Sequence, residues 1–178
     1  TIRLAIAGVG NCASALLQGL EYYRTRDPVE TAGVLHPEIG GYRLEDVQPV
    51  AAFDVDERKV GRPLEEAAFA PPNCTAVFQE KLPAWGVTVQ MGPVLDGVAP
   101  HMREAPPERS FRVADAPACD VVAALRESRA DVLVCYLPVG SEAADKFYAQ
   151  CCIDAGVAFV NALPVFIASD PEWAAKFK

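Results

Sequence analysis

A parallel α/β sheet wound in both directions, with helices on both faces, is the fold class predicted by two patterns in this sequence. Apolar, β-rich runs alternate along the chain with stretches of helical periodicity. The runs are apolar at consecutive positions rather than at every second one, as in strands buried on both faces. The 178 residues suit one domain, or one and a partial second, and a hydrophobic content of 51% is enough for a full core.

Ile2 to Ala7 reads as the first strand. Cys12 to about Arg24 reads as the first helix, with Ala13, Leu16, Leu17 and Leu20 on one face. Val50 to Asp54 is a second strand, and Asp56 to about Phe69 a second helix, weakened by Gly61 and Pro63. Val87 to Met91 is a third strand and Val121 to Ser128 is helical. Asp131 to Leu137 (DVLVCYL) is a strand. Ser141 to Ala155 is a helix, with Ser141 placed to cap it, Glu142 in its first turn and Gly156 at its end. Val157 to Asn161 is the last strand. Ser169 and Glu172 stand at capping-box spacing around Pro171 and open a final helix that stops at Lys178. A helix of about eight residues is marginal without packing, so a truncated or partial chain is expected.

Two segments break the rhythm. Thr25 to Pro49 holds the pair Gly40–Gly41, and Gly92 to Ala118 carries Pro93, Pro100, Pro106, Pro107 and Pro117. Structureless connections of that length are uncommon in compact domains, so lids, packing insertions or disordered stretches are expected there. Residues 1–178 thus read as one domain with insertions at about 25–49 and 92–118.

The formal net charge of −8 argues against nucleic acid or an anionic membrane as partner. No apolar run approaches the ~20 residues of a membrane span, and no signal peptide is legible. Six cysteines, at 12, 74, 119, 135, 151 and 152, form no CxxC and no metal or disulfide spacing. Reduced thiols in a cytoplasmic protein are the expectation. His36 and His101 have no companion at ligand spacing, so no metal site is expected. Lys146 and Lys176 read as solvated, and no nucleophile–base pair is legible.

The chemistry sits at the first strand–helix turn. Gly8-Val9-Gly10-Asn11-Cys12-Ala13 matches GxGxxA directly after a strand and before a helix. Gly8 permits the tight turn, Gly10 lets phosphates approach the backbone, and Ala13 lets helix and strand pack closely. The helix N-terminus adds free N–H groups and a partial positive charge. The pattern makes the sheet Rossmann-like, and dinucleotide binding is expected. Asp54, ending the second strand, is placed to accept from the adenosine ribose hydroxyls and to repel a 2′-phosphate, favouring NAD over NADP. Asp56, Arg58 and Lys59 crowd the same turn, and Arg58 is the group there that would tolerate a phosphate. Tyr136, Leu137 and Pro138 follow the fourth strand at the carboxyl edge, where ligands bind. Asn161 and Ala162 end the next strand in the equivalent place and are candidates for the nicotinamide side, with a plain turn role the alternative for Asn161.

GVGNCAS, QGLEYY, FDVDERKVG and the long segment from Asp131 to Phe177 resemble the actinobacterial-type inositol-3-phosphate synthases over nearly the whole chain, least between Ala105 and Cys119. The resemblance implies a homotetrameric cytoplasmic isomerase of inositol and phospholipid biosynthesis. It converts D-glucose 6-phosphate to 1L-myo-inositol 1-phosphate by oxidation at C5 with NAD, aldol closure from C6 onto C1, and return of the hydride. It also implies that Gly8, Val9, Gly10, Asn11 and Cys12 hold the pyrophosphate and Asp54 the ribose, while Tyr136, Leu137, Pro138, Asn161 and Ala162 line the cleft. The family's catalytic lysines belong to a part that follows a segment like residues 157–178, so no catalytic residue is expected in this chain, and the second, catalytic and oligomerisation domain is expected to be missing. Cations placed where oxyanion charge develops are what such chemistry needs. A naturally short NAD-binding or sensing module without catalysis is the alternative expectation.

Overall fold

A computed structural model describes residues 1–24, 26, 33–99, 102 and 105–178. Five parallel strands form the sheet: β1 (Ile2–Ala7), β4 (Val47–Asp54), β5 (Val89–Met91), β6 (Val132–Cys135) and β7 (Ala158–Asn161), in the order β5-β4-β1-β6-β7. From β1 the chain moves outward through β4 to β5, then crosses to β6 and β7 on the other side. The direction reverses between β1 and β6, which makes the sheet doubly wound and Rossmann-like.

Small residues on the central strands let helices approach both faces. Ala5, Ala7, Ala51, Phe53, Leu133 and Cys135 face α3 (Val121–Glu127) and α4 (Glu142–Ala155). Leu4, Ile6, Ala52 and Val134 face α1 (Asn11–Arg24) and the short α2 (Leu64–Ala67). Burial of these side chains at roughly 25 cal/mol per Å² of apolar surface is the main force holding the layers.

Helix α2 differs from its expected span of 56–69. Only Leu64–Ala67 is helical. The Asp54 and Asp56 carboxylates draw the amides of Val55, Asp56 and Arg58 into side-chain turns, competing with helical bonds. Gly61 takes a left-handed φ of 81°, and residues 61–64 then bond alongside Val87 and Val89 as an improvised edge to β5.

Helix α4 begins and ends where expected, and Gly156 closes it at φ 73°. Its cap is a correction. Ser141 occupies the N-cap position but its side chain makes no capping bond. The Asp96 carboxylate, from the loop after β5, accepts from Ala143 N (2.8 Å) and Ala144 N (2.9 Å) instead. Helix α5 (Pro171–Lys176) is likewise capped by Asp170, which accepts from Glu172 N and Trp173 N, rather than by Ser169.

The first insertion holds a hairpin, β2 (Glu38–Ile39) and β3 (Tyr42–Arg43), turning on Gly40–Gly41, then a 3-10 turn at Leu44–Asp46. Strand β4 starts earlier than expected, at Val47, where it joins Ile2. In the second insertion, residues 111–114 run against 55–57 through Glu57 N to Arg112 O, Arg112 N to Asp56 Oδ2 and Ala114 N to Val55 O. This stretch is a packing insertion. Pro100 and His101 lie outside the described residues; His36 is exposed.

Candidate functional site

The glycine turn stands at the carboxyl edge, beside the reversal between β1 and β6. Gly8 has a φ of 88°, and a Cβ there would lie 2.8 Å from the Tyr136 carbonyl oxygen. It is therefore required twice, for its backbone conformation and for the close passage of the Tyr136–Leu137 backbone. Its amide donates to Phe53 O at 2.8 Å. A Cβ on Gly10 would meet nothing within 4 Å. The loop is open on that side, and the absent side chain leaves the backbone approachable. Asn11, Cys12 and Ala13 open α1, where amides have no carbonyl one turn back.

Val9 is turned inward. Its side chain is buried, its N–H donates to Asp54 Oδ2 at 2.7 Å, and its carbonyl accepts from the Lys59 ammonium. The Val9 peptide is thus clamped from both ends, and its amide is not free for a phosphate. Lys59 is fully buried; burial lowers its pKa, and the charges of Asp54 and Asp56 oppose that shift in part.

Asp54 lies in the same place, 8% exposed. Besides Val9 it accepts from Val55 N (2.7 Å) and Asp56 N (2.9 Å). Asp56 is buried. Burial raises its carboxyl, but hydrogen bonds from Arg58 and from the amides of Arg112 and Arg58 outweigh it and leave the pKa lowered. Arg58 grips Asp56 through Nε (2.7 Å) and a terminal nitrogen (2.6 Å), and also donates to Pro107 O and Ser110 O. It is engaged on both edges of its guanidinium, which corrects its reading as a group free to meet a phosphate.

Together these residues bound a cleft of about 330 Å³. Gly8, Gly10, Asn11 and Cys12 form one side and Asp54 the end of β4. Tyr136, Leu137 and Pro138 form the other side. Val55, Pro93, Phe111 and Tyr148 complete it. The volume is at the low end of the ~300–1,000 Å³ common for small-molecule sites. Among the described residues, none that lines the cleft carries a positive charge. A larger groove of about 460 Å³, between the end of α1 and the start of β4, lies at the amino edge of the sheet. Ligands of such sheets bind at the carboxyl edge, so the smaller cleft is the candidate.

Asn161 and Ala162 are not brought to the cleft. The Asn161 side chain accepts from Leu163 N (2.8 Å) and donates to Val165 O (2.7 Å), holding the turn after β7. Ala162 N reaches Cys135 O at 3.2 Å. Asn161 borders a separate hollow with Phe159, Ile167 and Phe177.

Asp96, Tyr148 and Gln18 are not singled out by the sequence, and Lys59 is placed in the turn after Asp54 without its grip on Val9. Gln18 is buried and, with Asn11, sews residues 74–79 onto α1 through the amides of Cys74, Phe78 and Gln79. A polar residue on the apolar face of a helix was the available signal for Gln18. Lys59 carried none apart from its position five residues after Asp54. Among the described residues no three His, Cys, Asp or Glu side chains gather as a metal set. No helix there is long and apolar enough to cross a membrane.

Comparison with known proteins found no matching family model. Inositol-3-phosphate synthase of Corynebacterium glutamicum is 58% identical over 178 residues, covering 99% of this chain and 47% of that protein. The enzyme of the same name from Mycolicibacterium smegmatis is 57% identical over the same share. The chain therefore spans about half the length of the curated relatives it matches. The crystal structure of Ari2 superposes with a TM-score of 0.82 at 37% identity, covering 99% of this chain and 51% of that one. A myo-inositol-1-phosphate synthase-related protein from Thermotoga maritima superposes at 0.69 with 22% identity, which is a likeness of fold.

Proposed function

We propose that this chain, a relative of the inositol-3-phosphate synthases along nearly its whole length, is the NAD-binding part of such an enzyme and serves the conversion of D-glucose 6-phosphate to 1L-myo-inositol 1-phosphate. The observation that carries the cofactor reading is the open face at Gly10, with the start of α1 beside it and Asp54 in the same cleft. The residues present fit a dinucleotide.

In this reading the amides at Gly10 to Cys12 and the positive end of α1 hold the pyrophosphate, which suits a cleft whose described lining residues include no cationic side chain. Clamping of the Val9 peptide by Asp54 and Lys59 keeps the loop in that conformation before any ligand arrives. Asp54 takes a ribose hydroxyl and repels a 2′-phosphate, and Arg58, spent on Asp56, cannot neutralise one; both favour NAD over NADP. NAD supplies transient removal and return of a hydride, so that the sugar is first activated and then restored with no net redox change. The chain's own residues bind, orient and shield the cofactor. Among the described residues the cleft lining holds no cation to grip the sugar phosphate and steady an enolate; such groups would come from the part of the relatives' length that this chain does not span.

The test is product formation. The intact protein, given D-glucose 6-phosphate and NAD, should yield inositol 1-phosphate, and residues 1–178 alone should bind NAD without turnover. Absence of product with the intact protein would reject the activity; absence of NAD binding would reject the site. Asp54→Asn, which keeps Oδ1 for the Val55 and Asp56 amides but gives up the acceptor to Val9 N, should narrow the preference for NAD over NADP by about tenfold or more.

A further inference from the structure

Tyr148 lies on α4 with 2% of its surface exposed. Its ring packs against Phe53, with centroids 5.8 Å apart, and against Phe147 at 5.6 Å. Buried tyrosine hydroxyls ordinarily find a hydrogen-bond partner. Among the described residues this one makes no hydrogen bond, and its oxygen is not fully enclosed, which leaves it open to the cleft that the residue lines. Space is kept for the hydroxyl: a Cβ on Gly92 would collide with the Tyr148 oxygen, and Gly92 N in turn donates to the Asp54 carbonyl at 2.9 Å. The hydroxyl therefore stands beside Gly92, whose amide is bonded to the last residue of β4. Burial raises its pKa well above the ordinary tyrosine value, so it is a neutral O–H.

Asp54 supplies the second observation. An ionised carboxylate accepts at about four lone-pair positions. Three are taken by the amides of Val9, Val55 and Asp56. A ribose presenting two hydroxyls, or a base presenting ring nitrogens, needs a further polar partner there. The described residues next to it on that wall, Val55, Pro93 and Phe111, are apolar.

Resting on the dinucleotide reading of the cleft, we propose that the Tyr148 hydroxyl is a cofactor-positioning group, hydrogen-bonding the adenosine half of the dinucleotide beside Asp54. Gly92 is the position that keeps its place open.

Calorimetric titrations of the intact protein and of Tyr148→Phe with NAD, adenosine 5′-monophosphate and nicotinamide mononucleotide test this. Phenylalanine keeps the ring packing and removes only the hydroxyl. Affinity for NAD and for the adenosine nucleotide should fall about three- to tenfold, the measure of one neutral hydrogen bond, with affinity for nicotinamide mononucleotide and the melting temperature unchanged. Gly92→Ala, whose methyl displaces the hydroxyl, should lower NAD affinity in the wild-type background and much less in Tyr148→Phe. Wild-type NAD binding with undiminished binding by both single variants overturns the role of Tyr148 alone, as does a loss confined to nicotinamide mononucleotide. Failure of the wild type to bind NAD overturns the cleft assignment beneath it.

Discussion

At the scale of the residue, the two glycines of the first turn do different work. Gly8 is held by a left-handed φ and by the Tyr136 backbone, so Gly8→Ala should destabilise the fold by about 1–3 kcal/mol, read in denaturant unfolding. Gly10 faces open space, so a side chain there should leave stability within about 0.5 kcal/mol and act on binding alone. The sequence carried this distinction only in part. The GxGxxA spacing marks the turn, because backbone geometry demands glycine at fixed offsets. It does not show that the Val9 peptide is gripped at both ends by Asp54 and Lys59, since that contact joins residues 50 positions apart and depends on how the loop after β4 folds back. Asn161 has two readings open in the sequence, ligand group or turn residue, and its side chain is engaged in the turn it sits in.

At the scale of the element, strands and long helices followed from apolar runs and periodicity, and the misses fall where side chains compete with the backbone. Residues 56–63 have helical composition, yet the two carboxylates and Gly61 turn them into a chain of tight turns. Helix α4 shows why a cap cannot be assigned from the adjoining residue alone. Ser141 has the right chemistry, but Asp96, 47 residues from Ala143, reaches the first amides. An anionic acceptor there is favoured by the helix dipole. Removing it as Asp96→Ala should cost about 0.5–1 kcal/mol of thermal stability, discounted because the carboxylate is exposed. Ser141→Ala should cost less. The opposite ranking in melting experiments would return the cap to Ser141.

At the scale of the molecule, the sheet order places every element that bounds the cleft at one edge, and the opposite edge is fastened separately. There Arg3 meets Asp131 through its backbone N–H at 2.8 Å and through two guanidinium bonds, tying β1 to the entry of β6. Hydrogen bonds from the Arg3 side chain and backbone hold the Asp131 carboxyl down at about 2. The unfolded value is near 4, so this contribution is complete above about pH 4, fades as pH falls, and is gone below about pH 2. Melting followed from pH 5 to pH 2 should show a steeper loss in the wild type than in Asp131→Asn, by a small margin because the pair is exposed. Parallel slopes would remove the pair from the account of acid sensitivity. Doubly wound topology was legible from the sequence because central strands buried on both faces cannot alternate. The packing of residues 111–114 onto the cleft was not, because proline-rich composition says where regular structure stops and not where the chain goes next.

The pyrophosphate of NAD is proposed to rest on the amides of Gly10 to Cys12, at the open face of the turn. Calorimetry of NAD against the intact wild-type protein and Gly10→Val, with melting temperatures alongside, addresses it most directly. Binding by the wild type is expected, with at least about tenfold weaker binding by the variant and equal melting temperatures. Equal affinities, or no binding by the wild type, would contradict it.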